Sequence, residues 1–69
     1  MDVRLRFGIR CKQLREEKKI SQEKFALLIG MDRTYYSSLE NGKRNVALCN
    51  IEKIAKGFNI TIEELLKGV

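Results

Sequence analysis

Apolar residues recur at helical spacing along nearly the whole chain and divide it into five amphipathic segments. In the first, about Val3 to Lys18, Phe7, Cys11 and Leu14 fall at i, i+4 and i+7 and mark a buried stripe. Leu5 and Ile9 lie on the opposite side, to cover a neighbouring segment or to meet a partner. The second begins at Ser21, a good N-cap; Lys24 stands where a capping box needs an acid or amide, so the hydroxyl caps alone. Phe25, Ala26, Leu28 and Ile29 are expected to face inward. Gly30 suits a left-handed turn, with Met31 dropping into the core after it.

Asp32 caps a third helix running from Arg33 to about Asn41. At 100° per residue Tyr36 and Leu39 point inward, Thr34, Ser37 and Ser38 outward, and Arg33 and Tyr35 stand at the flanks. A merely solvated helix more often carries Glu, Lys and Gln on its outer face. Here that face is short, polar and rich in hydrogen-bond donors. The fourth helix, Leu48 to Phe58, is expected to bury Leu48, Ile51, Ile54, Ala55 and Phe58, with Cys49 and Asn50 facing outward or toward a partner. Asn59 permits a turn, and Thr61 caps a last short helix whose apolar face is Ile62, Leu65 and Leu66.

The pattern predicts an all-α domain spanning residues 1–69. Within it, residues 21–41 form two short helices joined by a glycine turn. Such a pair can lay its second helix across a DNA major groove. The helices over residues 48–67 complete the core and supply a self-association surface.

Charge changes the picture by its placement. The formal charge is +5, yet residues 1–46 carry eleven Lys and Arg against six Asp and Glu, while residues 47–69 carry three of each. A basic front and a neutral back suit one face toward a polyanion and another toward a protein. Sixty-nine residues make one domain near the lower limit for a self-supporting core. They leave no room for a separate sensor. The longest apolar run, Phe25 to Ile29, is five residues, far short of a membrane span, and the N-terminus has no signal-peptide block, so a cytoplasmic location is expected.

Catalytic and metal chemistry fare badly. The chain has no His, no glycine-rich phosphate loop and no Ser or Cys beside a plausible base. Glu63 and Glu64 are adjacent, hence about 100° apart on a helix, and suit its first turn rather than a paired-carboxylate site. Cys11 and Cys49 form no CxxC and read as reduced thiols. No enzyme activity, metal, cofactor or small-molecule ligand is expected.

With these residues in view, the chain resembles the Xre/Cro family of helix-turn-helix repressors from Phe7-Gly8 to Leu66. The resemblance rests on Leu14-Arg15, Ser21-Gln22-Glu23, Phe25-Ala26, Gly30, Asp32-Arg33-Thr34-Tyr35, Leu39-Glu40-Asn41-Gly42-Lys43 and Ile60-Thr61. The Asp-Arg-Thr-Tyr segment followed by Lys43-Arg44-Asn45 is also similar to the controller proteins of restriction–modification systems. The resemblance implies a five-helix, lambda-repressor-like domain acting as a homodimer on a pseudo-palindromic operator. It puts base reading on Arg33, Thr34, Tyr35, Ser37 and Ser38. Phosphate contacts fall on Ser21, Gln22, Asn41, Lys43, Arg44 and Asn45. Arg15 and Glu40 match a family ion pair tying the first helix to the third. The expected dimer interface comprises Cys49, Asn50, Ile62, Leu65 and Leu66. The chain departs from the family at Ala47, which cannot cap the fourth helix, at apolar Leu27, and at Tyr36, whose buried hydroxyl needs a partner.

Among these residues Arg33 is the strongest base reader, because its planar fork can donate twice to guanine O6 and N7. Tyr35, on the flank, suits a phosphate or sugar contact better than a base edge. Arg10 and Lys12 are expected in solvent, adding long-range attraction. The sequence thus predicts a double-stranded DNA-binding regulator that controls its own promoter through its concentration. The alternative is an antitoxin-like or adaptor module engaging a protein through Leu5, Ile9 and Leu27.

Overall fold

The computed structural model describes residues 1–69 as five helices and no strand. They are α1 (Val3–Glu17), α2 (Gln22–Leu28), α3 (Arg33–Glu40), α4 (Leu48–Gly57) and α5 (Ile62–Leu65). Helices α1 and α2 both pack on α3, and α5 packs on α4, in a body of 27 × 23 × 22 Å. No helix is long and apolar enough to cross a membrane.

The caps form as the side chains dictate. Ser21 Oγ accepts from the Lys24 amide at 3.0 Å, Asp32 Oδ2 from Tyr35 at 3.0 Å, and Thr61 Oγ1 from Glu64 at 3.0 Å. Each satisfies an amide that the helix itself cannot. Ala47 makes no such bond, so α4 starts uncapped. Asn59 (φ 60°) and Gly30 (φ 67°) adopt the left-handed turns expected of them.

Phe25 sits at the centre of the core, stacked on Phe58 with 4.2 Å between ring centroids and edge-on to Tyr36 at 5.3 Å. Phe7, Cys11, Leu39, Ile54, Ala55 and Leu65 close around them. Burial, then the nearby Glu40 charge, pushes the Cys11 thiol up to about 12, so it behaves as a small apolar side chain. The Tyr36 hydroxyl is buried without a hydrogen-bond partner. Burial first, then the neighbouring Glu40, holds its phenol far above the ordinary tyrosine range. Tyr36→Phe is expected to stabilise the fold by about 1 kcal/mol, since an unpaired buried hydroxyl is a liability. Urea unfolding measures this; a lower midpoint would instead mean that the hydroxyl is paired with Glu40.

Two expected core positions and one expected interface position turn out differently. Leu28 is 66% exposed, because the inward stripe of α2 is centred between Phe25, Ala26 and Ile29, leaving Leu28 roughly 100° off its middle. Leu48 is 71% exposed, since α4 buries Ile54, Ala55 and Phe58 near its other end and meets solvent at its first turn. Leu65, assigned to a dimer interface, is fully buried within its own chain. A four-residue helix must commit its one leucine, at its last position, to the core to be held there at all.

One polar detail also differs. Arg10 donates from Nε to the Leu65 carbonyl at 3.1 Å and from Nη2 to the Glu64 carbonyl at 2.8 Å. It therefore caps the end of α5 instead of standing in solvent. Leu5 lies over Gly42 at the exit of α3, where a Cβ would stand 2.9 Å from the Leu5 Cα. Leu5 covers a neighbouring segment of its own chain.

Candidate nucleic-acid interface

The start of α2 and the outer face of α3 meet in a shallow depression of about 360 Å³ without an apolar lining residue. It is lined by Gln22, Arg33, Thr34, Ser37, Ser38, Asn41 and Lys43. Gly30 makes this possible: its left-handed turn, followed by the Met31 amide bonding to the Ala26 carbonyl at 2.9 Å, sets α3 across α2. Donors from two helices and the following loop thus converge on one surface. Four of the five expected reading residues stand here with three of the expected phosphate contacts.

The side chains behind this surface are fixed by a buried network. Arg15 donates from Nε to Glu40 Oε2 at 2.7 Å, from Nη2 to Glu40 Oε1 at 3.0 Å and from Nη1 to the Ile20 carbonyl at 2.8 Å. This two-pronged geometry is the strong form of the ion pair. The side chains are 11% and 1% exposed. Burial alone would raise the Glu40 carboxyl; the bonds from Arg15, then from Gln22, outweigh it and hold it below its ordinary value. Gln22 Nε2 donates to Glu40 Oε1 at 2.9 Å. An ionised carboxylate only accepts, so the amide must turn its nitrogen inward, and that nitrogen keeps a second hydrogen for another acceptor.

Arg33 behaves differently. It pairs with Glu23 at 3.2 Å, but both side chains are about two-thirds exposed, at 67% and 70%. Such a pair is weak and is readily exchanged for a better acceptor. Ser21 is exposed and occupied as a cap, while Arg44 and Asn45 lie outside the depression on the loop after α3. Tyr35 also stands apart. Its hydroxyl accepts from Asn50 Nδ2 at 3.4 Å, and the Arg44 Cζ lies 5.1 Å from its ring centroid. That link between α3, the loop and α4 has no signal in the sequence.

Beyond the loop lies a largely apolar groove of about 350 Å³ lined by Val3, Phe7, Val46, Ile51, Leu66 and Val69 together with Arg4, Arg44 and Asn45. Periodicity alone misses it, because four separate segments build it. Of the expected interface residues, Cys49 and Leu66 are exposed and Asn50 and Ile62 half-buried.

Two short helices across a turn, with a polar, donor-lined outer face, define a helix-turn-helix DNA-binding domain. The chain belongs to the helix-turn-helix family, whose model it matches over residues 12–65. It is 56% identical over 69 residues to the control protein C.MunI of a Mycoplasma species, covering 99% of this chain and 93% of that one. Among solved structures it is similar to the restriction-modification controller protein C.AhdI from Aeromonas hydrophila, with a TM-score of 0.86 and 45% identity. That match covers 90% of this chain and 94% of C.AhdI. The controller protein C.Esp1396I, solved as a tetramer in complex with its natural 35 base-pair operator, superposes with a TM-score of 0.85 at 30% identity, covering 97% and 92% of the two chains. These relatives are control and controller proteins.

Proposed function

We propose that this chain is a sequence-specific regulator that binds double-stranded DNA as a homodimer on a pseudo-palindromic operator, including that of its own gene. The observation that carries this is the polar depression, where Gln22, Arg33, Thr34, Ser37, Ser38, Asn41 and Lys43 converge on one face. Arg33 reads a base edge, with Thr34, Ser37 and Ser38 beside it. Ser21, Gln22, Asn41, Lys43, Arg44 and Asn45 grip phosphates. Half-sites about 34 Å apart exceed the 27 Å long dimension of one copy, so a second copy is needed to read both. Exposed Leu48, Cys49 and Leu66, with the apolar groove beside them, offer the surface for that copy.

Because C.MunI is a control protein and C.Esp1396I is a controller seen on its operator, the genes under control are those of a restriction–modification system. The simplest signal for such a regulator is its own concentration. Weak dimerisation coupled to cooperative binding turns a gradual rise in protein into a threshold.

Selection of the purified protein on randomised duplex DNA tests this. The expected result is an inverted repeat, and Arg33→Ala is expected to blur one position in each half, costing about 1–3 kcal/mol of discrimination there. A pool without enrichment would favour the protein-interaction alternative, which Leu27 supports by being 80% exposed.

A further inference from the structure

Tyr35, Arg44 and Asn50 come from α3, the following loop and α4, and they form one chain of contacts at the edge of the reading face. Asn50 holds the Tyr35 hydroxyl at 3.4 Å, and the Arg44 guanidinium lies 5.1 Å from the ring centroid. Arg4, Arg15 and Arg33 each have a carboxylate partner, and Arg44 has none. Its charge is left for an anion outside the chain.

A guanidinium over an aromatic ring keeps the N–H groups around its rim free, because the ring engages the face of the group. Tyr35 therefore steadies Arg44 without competing for the acceptors that Arg44 would bind. An exposed arginine on a loop otherwise samples many rotamers, and selecting one on binding weakens the contact. The ring in turn needs a fixed tilt, and the Asn50 amide, itself half-buried, supplies it.

We propose that Asn50 is a positioning residue for DNA binding: it fixes the Tyr35 ring, and the ring aims Arg44 at a backbone phosphate. This rests on the DNA-binding reading above. It makes Tyr35 a platform for Arg44, and it gives Asn50 a task inside its own chain in place of the dimer contact expected from sequence.

The test is a double-mutant cycle read by titrating the duplex enriched from a randomised pool against salt. Arg44→Ala is expected to weaken binding and lower the log–log salt slope by about one. Asn50→Ala is expected to weaken binding about two- to fivefold, the range of an exposed cation–π contact, with melting temperature and oligomeric state unchanged. In the Arg44→Ala background the same Asn50→Ala change is expected to have no further effect. Tyr35→Phe keeps the ring but loses the acceptor; Asn50→Ala should add nothing to it either.

Additive losses in both cycles would overturn the proposal while leaving the DNA-binding reading intact. A shift of Asn50→Ala toward monomer in sedimentation would also overturn it and return Asn50 to the dimer interface. Failure of the unaltered protein to enrich any duplex would bring down both readings together.

Discussion

Glu40→Ala is expected to cost about 3–5 kcal/mol of folding stability, the usual penalty for stripping one partner from a buried ion pair. The carboxylate receives Arg15 Nε at 2.7 Å, Arg15 Nη2 at 3.0 Å and Gln22 Nε2 at 2.9 Å. Without it the guanidinium stays buried with the Ile20 carbonyl as its remaining partner. A 69-residue domain has roughly 3–10 kcal/mol in total, so the variant should be largely unfolded in mild urea. Arg15→Met together with Glu40→Leu is expected to recover most of the loss, because an apolar pair escapes the desolvation penalty. That double variant should fold yet bind DNA less well, since Gln22 has lost its anchor. A Glu40→Ala protein within 1 kcal/mol of the original would show that water reaches the pair.

The same pair sets an acid limit. The folded Glu40 carboxyl titrates below its ordinary value of 4.5, so its contribution is fully present above that value. It is lost as pH falls below 4.5 and through the folded value. Urea midpoints measured down the acid range should therefore fall faster for the unaltered protein than for the Met–Leu variant.

Gly8→Ala carries the second large effect, and here helix propensity and packing disagree in sign. Within α1, alanine is favoured over glycine by about 1 kcal/mol. The structure reverses this, because a Cβ at Gly8 would stand 2.5 Å from the Glu40 carbonyl oxygen and 2.6 Å from that of Leu39. Both atoms are backbone, so no rotamer change relieves the contact, and α1 must move off the end of α3. A net loss of about 2–3 kcal/mol is expected from thermal or urea unfolding. DNA binding should weaken as well, since Asn41 and Lys43 follow directly on the displaced turn. A gain of about 1 kcal/mol would mean that propensity rules and that α1 and α3 are less closely packed.

Gly8 shows where local rules stop. Ser21, Asp32 and Thr61 cap their helices as their side chains require, and Gly30 and Asn59 turn the chain where a left-handed residue is needed. Tyr36 and Leu39 face inward, and Thr34, Ser37 and Ser38 line the polar depression. Leu28 and Leu48 did not follow the same periodicity, because a stripe three or four residues wide has an uncertain centre when the helix is short. Leu65 went to the core where an interface was expected, and Arg10 to the α5 carbonyls where solvent was expected.

Cap, turn and stripe depend on residues up to about four apart, and the order of side chains along the chain suffices to specify them. The five helices, the turn between α2 and α3, and the polar outer face of α3 belong to that group. The Asn50–Tyr35–Arg44 contact, the apolar groove, the fit of Gly8 against α3 and the Arg10 cap depend on distances across the folded body. They join residues as far apart in sequence as Val3 and Val69, and packing alone brings those segments together. No pattern along the chain encodes such a meeting, because it is settled by the shapes of all the side chains that fill the core at once.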